Sequence, residues 1–384
     1  MTRMATVCGQ PCYAPASDKV RVFLTVQGGH LTAEFNGKGG TLAPFYTAPW
    51  WKEPYMEDAD WIIRVLRGDF FCLPFGSNVE PVGGRKYLLH GRTANDCWEP
   101  VNTEERKGET MLVLRMDLDE PGSEVEKTIR LVKGQPVIYQ RHVVRGLELK
   151  SPVAHHPTLH CPDAPGSAIV DFSPPLAGFT IPSPVDIPEN KGYGLLVPNV
   201  AITDRTRVPT VYGGVADTSR YPVRRGHEDG IMYVSDPARD FAFTSVTMPE
   251  KGLLYFQLKD PRVFSETLFW MCDGGRYSAP FSGRATGVLG AEEITGYFWE
   301  GIKPSTEPNH ITQKGYRTAV DFRRGTPQDF RLIMATIPVS KDFSGVTDII
   351  RRDAGAVTVI GRHGERIDVP CEVDYLKPAP REAR

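Results

Sequence analysis

The chain contains no run of about 18 uncharged apolar residues, which excludes a membrane-spanning helix. Its first residues, Met1-Thr2-Arg3-Met4-Ala5-Thr6-Val7-Cys8, lack the apolar core of a secretory leader. It carries no excess of one charge: 45 basic and 47 acidic side chains leave a formal net charge of -2. With no basic stripe interleaved with aromatics, nucleic acid is excluded as the expected partner. No phosphate-binding Gly-rich loop, Gly-x-Ser-x-Gly elbow or dinucleotide fingerprint stands in a suitable context, so none of the chemistry tied to them is indicated. Cysteine is sparse and odd in number: seven, at 8, 12, 72, 97, 161, 272 and 371. That pattern suits free thiols and predicts a reducing, cytoplasmic setting. Cys8 and Cys12 form a lone Cys-x3-Cys without a second pair, which reads as part of a free arm ahead of a metal knuckle. Internal repeats, low-complexity stretches and dividing linkers are also missing.

What the chain has in quantity is glycine (37) and proline (33). Hydrophobic residues make up 40% and charged residues 24%, the composition of a packed globular protein. Turn formers at this density favour short strands over long helices. Residues 20–26 alternate apolar and polar, a Gly28-Gly29 turn follows, and residues 31–35 alternate again, which predicts a hairpin. Similar runs recur at 111–116, 125–131, 136–144, 168–172, 241–248, 252–258 and 330–337. Together they predict an all-β protein of antiparallel strands, a sandwich or barrel. Helix is expected at two places only. One is the short Trp61-Ile62-Ile63-Arg64-Val65-Leu66. The other is 344–352, with a Ser344 cap and apolar residues at 346, 349 and 350. A final hairpin is expected over 357–369. The division that results is an irregular arm over 1–19, one β-domain over 20–340, and a helix-and-hairpin appendage over 341–384. The Pro-rich 182–188 reads as a surface loop.

Three polar side chains sit in contexts built to hold them at strand ends. His90 stands in Leu89-His90-Gly91-Arg92, His156 in His155-His156-Pro157-Thr158-Leu159, and Glu292 in Gly290-Ala291-Glu292-Glu293-Ile294. Imidazoles and a carboxylate are the usual parts of acid/base chemistry near neutral pH. Each also has an ordinary reading, as a satisfied core histidine or a solvated strand-end glutamate. Glu293 points to the opposite face from Glu292, so one of the two is expected to reach solvent. Residues 155–161 hold three of the nine histidines, which raises a metal site. Pro157 rules out a helix that would align His156 with His160. On a strand, 156, 158 and 160 would share a face, and a third ligand from elsewhere could complete a site that also uses His90. No acidic ligand lies close in sequence, so acid/base use ranks ahead of metal. Trp98 and Trp270 neighbour further polar candidates, Asn95 and Asp273. Arg85, Arg92 and Arg276 are candidates for an anionic substrate group.

These segments, in this order, resemble the galactose mutarotase-like superfamily, which includes aldose 1-epimerases. Gly68-Asp69-Phe70-Phe71-Cys72-Leu73-Pro74-Phe75-Gly76, then Leu89-His90-Gly91 with Asn95 and Trp98, resembles its Gly-rich strand followed by its His-Gly and Asn positions. His156-Pro157-Thr158-Leu159 is similar to its His-Pro-aromatic-aromatic strand, and Gly287-Val288-Leu289-Gly290-Ala291-Glu292 to the segment carrying its glutamate. The resemblance implies an antiparallel β-supersandwich with an open sugar-binding cleft. It further implies cofactor-free interconversion of the anomers of a small-molecule carbohydrate. On that reading Glu292 takes the proton of the anomeric hydroxyl, His156 protonates the ring oxygen and His90 orients the sugar. Arg92, Asn95, Trp98, His155, Trp270 and Asp273 are the expected substrate-binding residues, and no metal ligand is assigned. The sequence departs from the pattern at Thr158-Leu159, at His155 and at Glu293, and residues 174–226 have no counterpart. A carbohydrate-binding protein without activity on the same fold is the alternative. An enzyme is expected to place His156 and Glu292 on opposite sides of one cleft, a ring's width apart.

Overall fold

Strands with one apolar face must stack to hide it. In the computed structural model, which describes residues 3–37, 39–53 and 59–377, they do so as an antiparallel β-sandwich. The larger sheet runs Arg220–Tyr221, Ala168–Phe172, Ala242–Met248, Leu253–Lys259, Gln328–Pro338, Val137–Arg145, Glu124–Val132, Glu109–Asp117, Glu99–Arg106. The second runs Pro175–Thr180, His227–Ser235, Glu266–Asp273, Val288–Thr295, Val153–His155, Phe71–Cys72, with Thr158–His160 also paired to Val288–Thr295. One apolar cluster joins the two sheets. It includes Ile129, Leu332 and Met334 from the first, Phe269, Leu289 and Ala291 from the second, and Val22 and Leu31 from a five-stranded N-terminal sheet. A second cluster, around Phe70, Leu268 and Trp270, lies on the other face of the second sheet.

The strand runs and both hairpins read from the sequence are present, as is the one-turn helix Trp61–Arg64. Two expectations are corrected. Residues 1–19 do not form an irregular arm: Met4–Val7 and Gln10–Tyr13 form a hairpin that joins Val20–Thr25. Four-residue strands are too short to display alternation, and their turn is made by Cys8 and Gly9, both at positive φ. The expected helix at 344–352 is instead the strand Val346–Asp353, paired with Ala356–Gly361. A bulge between Val346 and Asp348 shifts the alternation by one residue, so Val346 and Ile349 both face the core. The bulge imitates helical spacing, and the β-branched content of Val-Thr-Asp-Ile-Ile favours the strand.

The strand Val288–Thr295 lies between neighbours on both sides and is buried along its whole length. Its alternation sends Glu292 to one face and Glu293 to the other. Neither reaches solvent, contrary to expectation; each is 1% exposed. Glu293 enters the space between the two sheets. There it pairs with Lys259 at 2.5 Å and accepts hydrogen bonds from Thr244, Gln257 and Thr267. A buried pair is held chiefly because losing either member strands the other. Glu293→Leu should therefore destabilise the protein by about 3–5 kcal/mol in urea unfolding. The double change Lys259→Met/Glu293→Leu should recover most of that loss.

Candidate functional site

The opposite face of the same strand builds a different environment. Val153–His155 pairs with Val288–Thr295 in a register that sets His155 opposite Glu293. Thr158–His160 resumes the pairing with Thr158 opposite Gly290. His156 and Pro157 span the gap, facing Glu292 and Ala291. Pro157 has no N–H to donate, but its carbonyl still accepts from Ala291 N–H at 2.8 Å. Alternation then puts His156 on the face of Glu292 and His155 on the face of Glu293. His156 Nε2 lies 3.3 Å from Glu292 Oε1, too poorly aligned to count as a hydrogen bond, so both Glu292 oxygens lack a hydrogen-bond partner.

His90 arrives on a tight turn, with His90 and Gly91 both at positive φ. A side chain on Gly91 would collide with the Leu73 carbonyl, its Cβ falling 2.1 Å from that oxygen. Asn95 ties the turn down: its Nδ2 donates to the carbonyls of Leu89 and Gly91, and its Oδ1 accepts from Ile62 N–H. The His90 and His156 rings meet edge to face, centroids 5.2 Å apart, and Phe70 stacks on His156 at 4.6 Å. These groups line a cavity of about 130 Å³ with Trp270, Arg276, Phe281 and Trp299. Gly230 makes room for the Trp299 indole, since a Cβ there would lie 2.3 Å from the ring.

Hydrogen bonding assigns the tautomers. With the Thr158 hydroxyl proton given to the His156 carbonyl at 3.4 Å, Oγ1 accepts from His156 Nδ1–H at 3.2 Å. That leaves Nε2, the atom facing Glu292, without a proton. His90 Nδ1 accepts from Gly76 N–H at 3.4 Å, leaving its proton on Nε2. Burial acts in the same sense. It pushes His156 down to about 4, holds His90 well below the usual imidazole value, and raises Glu292 well above the carboxylate range with no counter-charge to oppose it. Both shifts favour the uncharged form of the pair, with its proton on the carboxyl group.

Of the remaining residues expected to bind substrate, only Trp270 lines the cavity, where its Nε1–H donates to Glu228 at 2.6 Å. Asn95 acts behind it, as described. Arg92 pairs with Asp96, and Trp98 is a core side chain donating to the Thr93 carbonyl. His155 is fully buried against Asp69, because its strand position turns it into the sandwich. Asp273 accepts from Gly287 N–H and pairs with Arg225 beside a separate, much smaller cavity. Arg85 pairs with Glu120, while Arg276 reaches the cavity clamped to Glu228 at 2.6 and 3.0 Å. His160 is exposed and does not line the cavity, and no cluster of three metal-ligating side chains occurs among the described residues. Glu228, Phe281 and Val185 were not foreseen. Their contribution depends on which strands become neighbours, which no local pattern displays. The ring's-width separation of His156 and Glu292 is also corrected: they stand side by side, because register places them directly across one strand pair.

No protein-family model matches the chain, and no curated protein does. Solved structures do. A galactose mutarotase-like protein from Clostridium acetobutylicum superposes with TM-score 0.57 at 10% identity, over 88% of this chain and 99% of that one. The chain has the galactose mutarotase-like fold. A candidate aldose 1-epimerase from Klebsiella pneumoniae gives TM-score 0.58 at 14% identity, over 86% and 80%. A galactose mutarotase related enzyme from Lactobacillus acidophilus gives 0.52 at 11%, over 86% and 98%. No described helix is long and apolar enough to cross a membrane.

The state of Glu292 has a consequence for stability. Its folded value lies above the unfolded one, so below about pH 4.5 both states are protonated and the group costs nothing. As pH rises past that point the unfolded chain ionises and the folded one does not, so stability is lost until the folded value is reached. Glu292→Gln should thus gain stability relative to wild type as pH rises from 4.5 to 7.5, by up to about 1.4 kcal/mol per pH unit. Urea unfolding at several pH values reads this directly; a difference that does not change with pH would contradict the assignment.

Proposed function

We propose that the protein is an aldose 1-epimerase-like isomerase that opens and recloses a cyclic hemiacetal by acid/base catalysis. The observation that carries this reading is the Glu292–His156 pair, an unpartnered buried acid beside an unprotonated imidazole nitrogen on a cavity wall. A buried carboxyl group with no hydrogen bond is costly, and function is a common reason to keep one. The fold's solved relatives include proteins named for this activity, which supports the same class.

Ring opening removes a proton from the anomeric hydroxyl and delivers one to the ring oxygen. Both oxygens are bonded to the same carbon, so an acid and a base standing side by side can serve them together. The uncharged pair has its proton on Glu292. In that state His156 Nε2 is the base at the anomeric hydroxyl and Glu292 is the acid at the ring oxygen. This reverses the roles that the resemblance implies, because burial and the Thr158 hydrogen bond both favour the neutral imidazole. After opening, His156 is an imidazolium and Glu292 a carboxylate. Rotation about the bond to the aldehyde carbon and closure in the opposite sense return both groups to their starting state. His90 Nε2–H is placed to donate to a substrate oxygen. No step calls for a cofactor.

Anomer exchange followed by NMR tests the proposal. Glu292→Gln keeps shape and hydrogen bonding but not the transferable proton, so binding should survive while exchange falls by on the order of 10² or more. His156→Ala should fall similarly, and His90→Ala less, with weaker binding. Tight binding of a sugar by wild-type protein without any exchange would favour the binding-protein reading.

A further inference from the structure

The cavity wall is mostly carbon. Ile62, Ile63, Leu66, Leu89, Phe281 and Trp299 supply much of its wall. Against them stand the polar side chains of His90, His156, Glu292, Arg276 and Ser77 and the indole N–H groups of Trp270 and Trp299. Two of these are largely committed. Arg276 spends Nε and Nη2 on Glu228, and Ser77 Oγ donates to the Glu300 carbonyl. The indole N–H of Trp270, the group by which such a ring could bind a hydroxyl, is also held by Glu228. The uncommitted groups are the His90, His156 and Glu292 tips, with Arg276 Nη1 and the Trp299 indole N–H as further donors among the described lining residues.

That supply matches one hemiacetal and little else. A fully hydroxylated hexose would bring four more hydroxyls into a wall of aliphatic and aromatic carbon. Each one buried without a partner weakens binding on the order of tenfold. A ring face of C–H groups gains instead from burial against the same wall.

We propose that the ligand is a cyclic hemiacetal of low hydroxyl content, a dideoxy sugar or an alkyl-substituted lactol. Its anomeric end meets His90, His156 and Glu292, and its carbon face packs on Ile62, Leu66, Phe281 and Trp299. The proposal rests on the acid/base reading for the hemiacetal and the placement of its anomeric end, but the low hydroxyl content follows from the wall alone.

Exchange and binding are measured on one panel: glucose and galactose, the 6-deoxyhexose fucose, a 2,6-dideoxyhexose, and 2-hydroxytetrahydropyran carrying an alkyl substituent. Exchange efficiency should rise at least tenfold from the hexoses to the dideoxyhexose. Saturation-transfer NMR should rank binding in the same order. Hexoses exchanged or bound as well as the dideoxyhexose would overturn the proposal, as would binding of no panel member. Preferential binding of the deoxygenated members without exchange would support the ligand class and defeat the catalytic reading, so the two failures are separate. Val185, half-buried on a loop at the cavity, provides a second check. Val185→Asn adds a polar partner at the edge of the second apolar cluster, and should narrow the dideoxyhexose-to-hexose ratio several-fold. An unchanged ratio would count against the wall as the source of selectivity.

Discussion

The molecule turns on the placement of two adjacent carboxyl groups in a strand with no access to water. Alternation forces them to opposite faces of the Val288–Thr295 strand, and the two faces treat them differently. Glu293 meets an ammonium group and three donors inside the sandwich. Glu292 meets only an imidazole nitrogen with no proton and no aligned hydrogen bond. One strand therefore carries both a satisfied charge, which the core requires, and an unsatisfied acid, which the core would not keep for its own sake.

Everything around Glu292 preserves that imbalance. Phe70 covers one side of His156, Thr158 fixes its tautomer, and Asn95 pins the His90 turn to the helix that walls the cavity. Glu228, which could have neutralised a charge at the site, is consumed by Arg276 and Trp270. The result is a proton donor and a proton acceptor side by side in an apolar setting, where transfer to a bound molecule competes with little solvent. Stability is given up at the place where chemistry is proposed, a common trade in enzymes.

The same environment argues for an uncharged pair rather than an ion pair. An imidazolium and a carboxylate in contact would need donors and acceptors around them to replace water. Here the neighbours are the Phe70, Phe75 and Trp270 rings and the imidazole of His90, which burial keeps neutral. The roles of acid and base are thus set by what surrounds the pair, and a residue type alone does not decide between them.

Much of this was legible in the chain. Alternating runs between glycine and proline turns were enough for an all-β sandwich, since a half-buried strand has no other way to hide one face. The contexts of His90, His156 and Glu292 marked the three groups that converge, and alternation separated Glu292 from Glu293 in advance. Local pattern failed where a bulge shifted phase, at 344–352, and where strands were too short to show one, at 4–13. It also could not tell His156 from His155, or Trp270 from Trp98, as cavity-lining side chains. Those distinctions depend on the register of Val153–His155 against Val288–Thr295 and on which sheet face meets the second sheet. The sequence by itself determined which side chains share a face; only tertiary pairing decided which faces open on a cavity, because that depends on contacts between residues far apart in the chain.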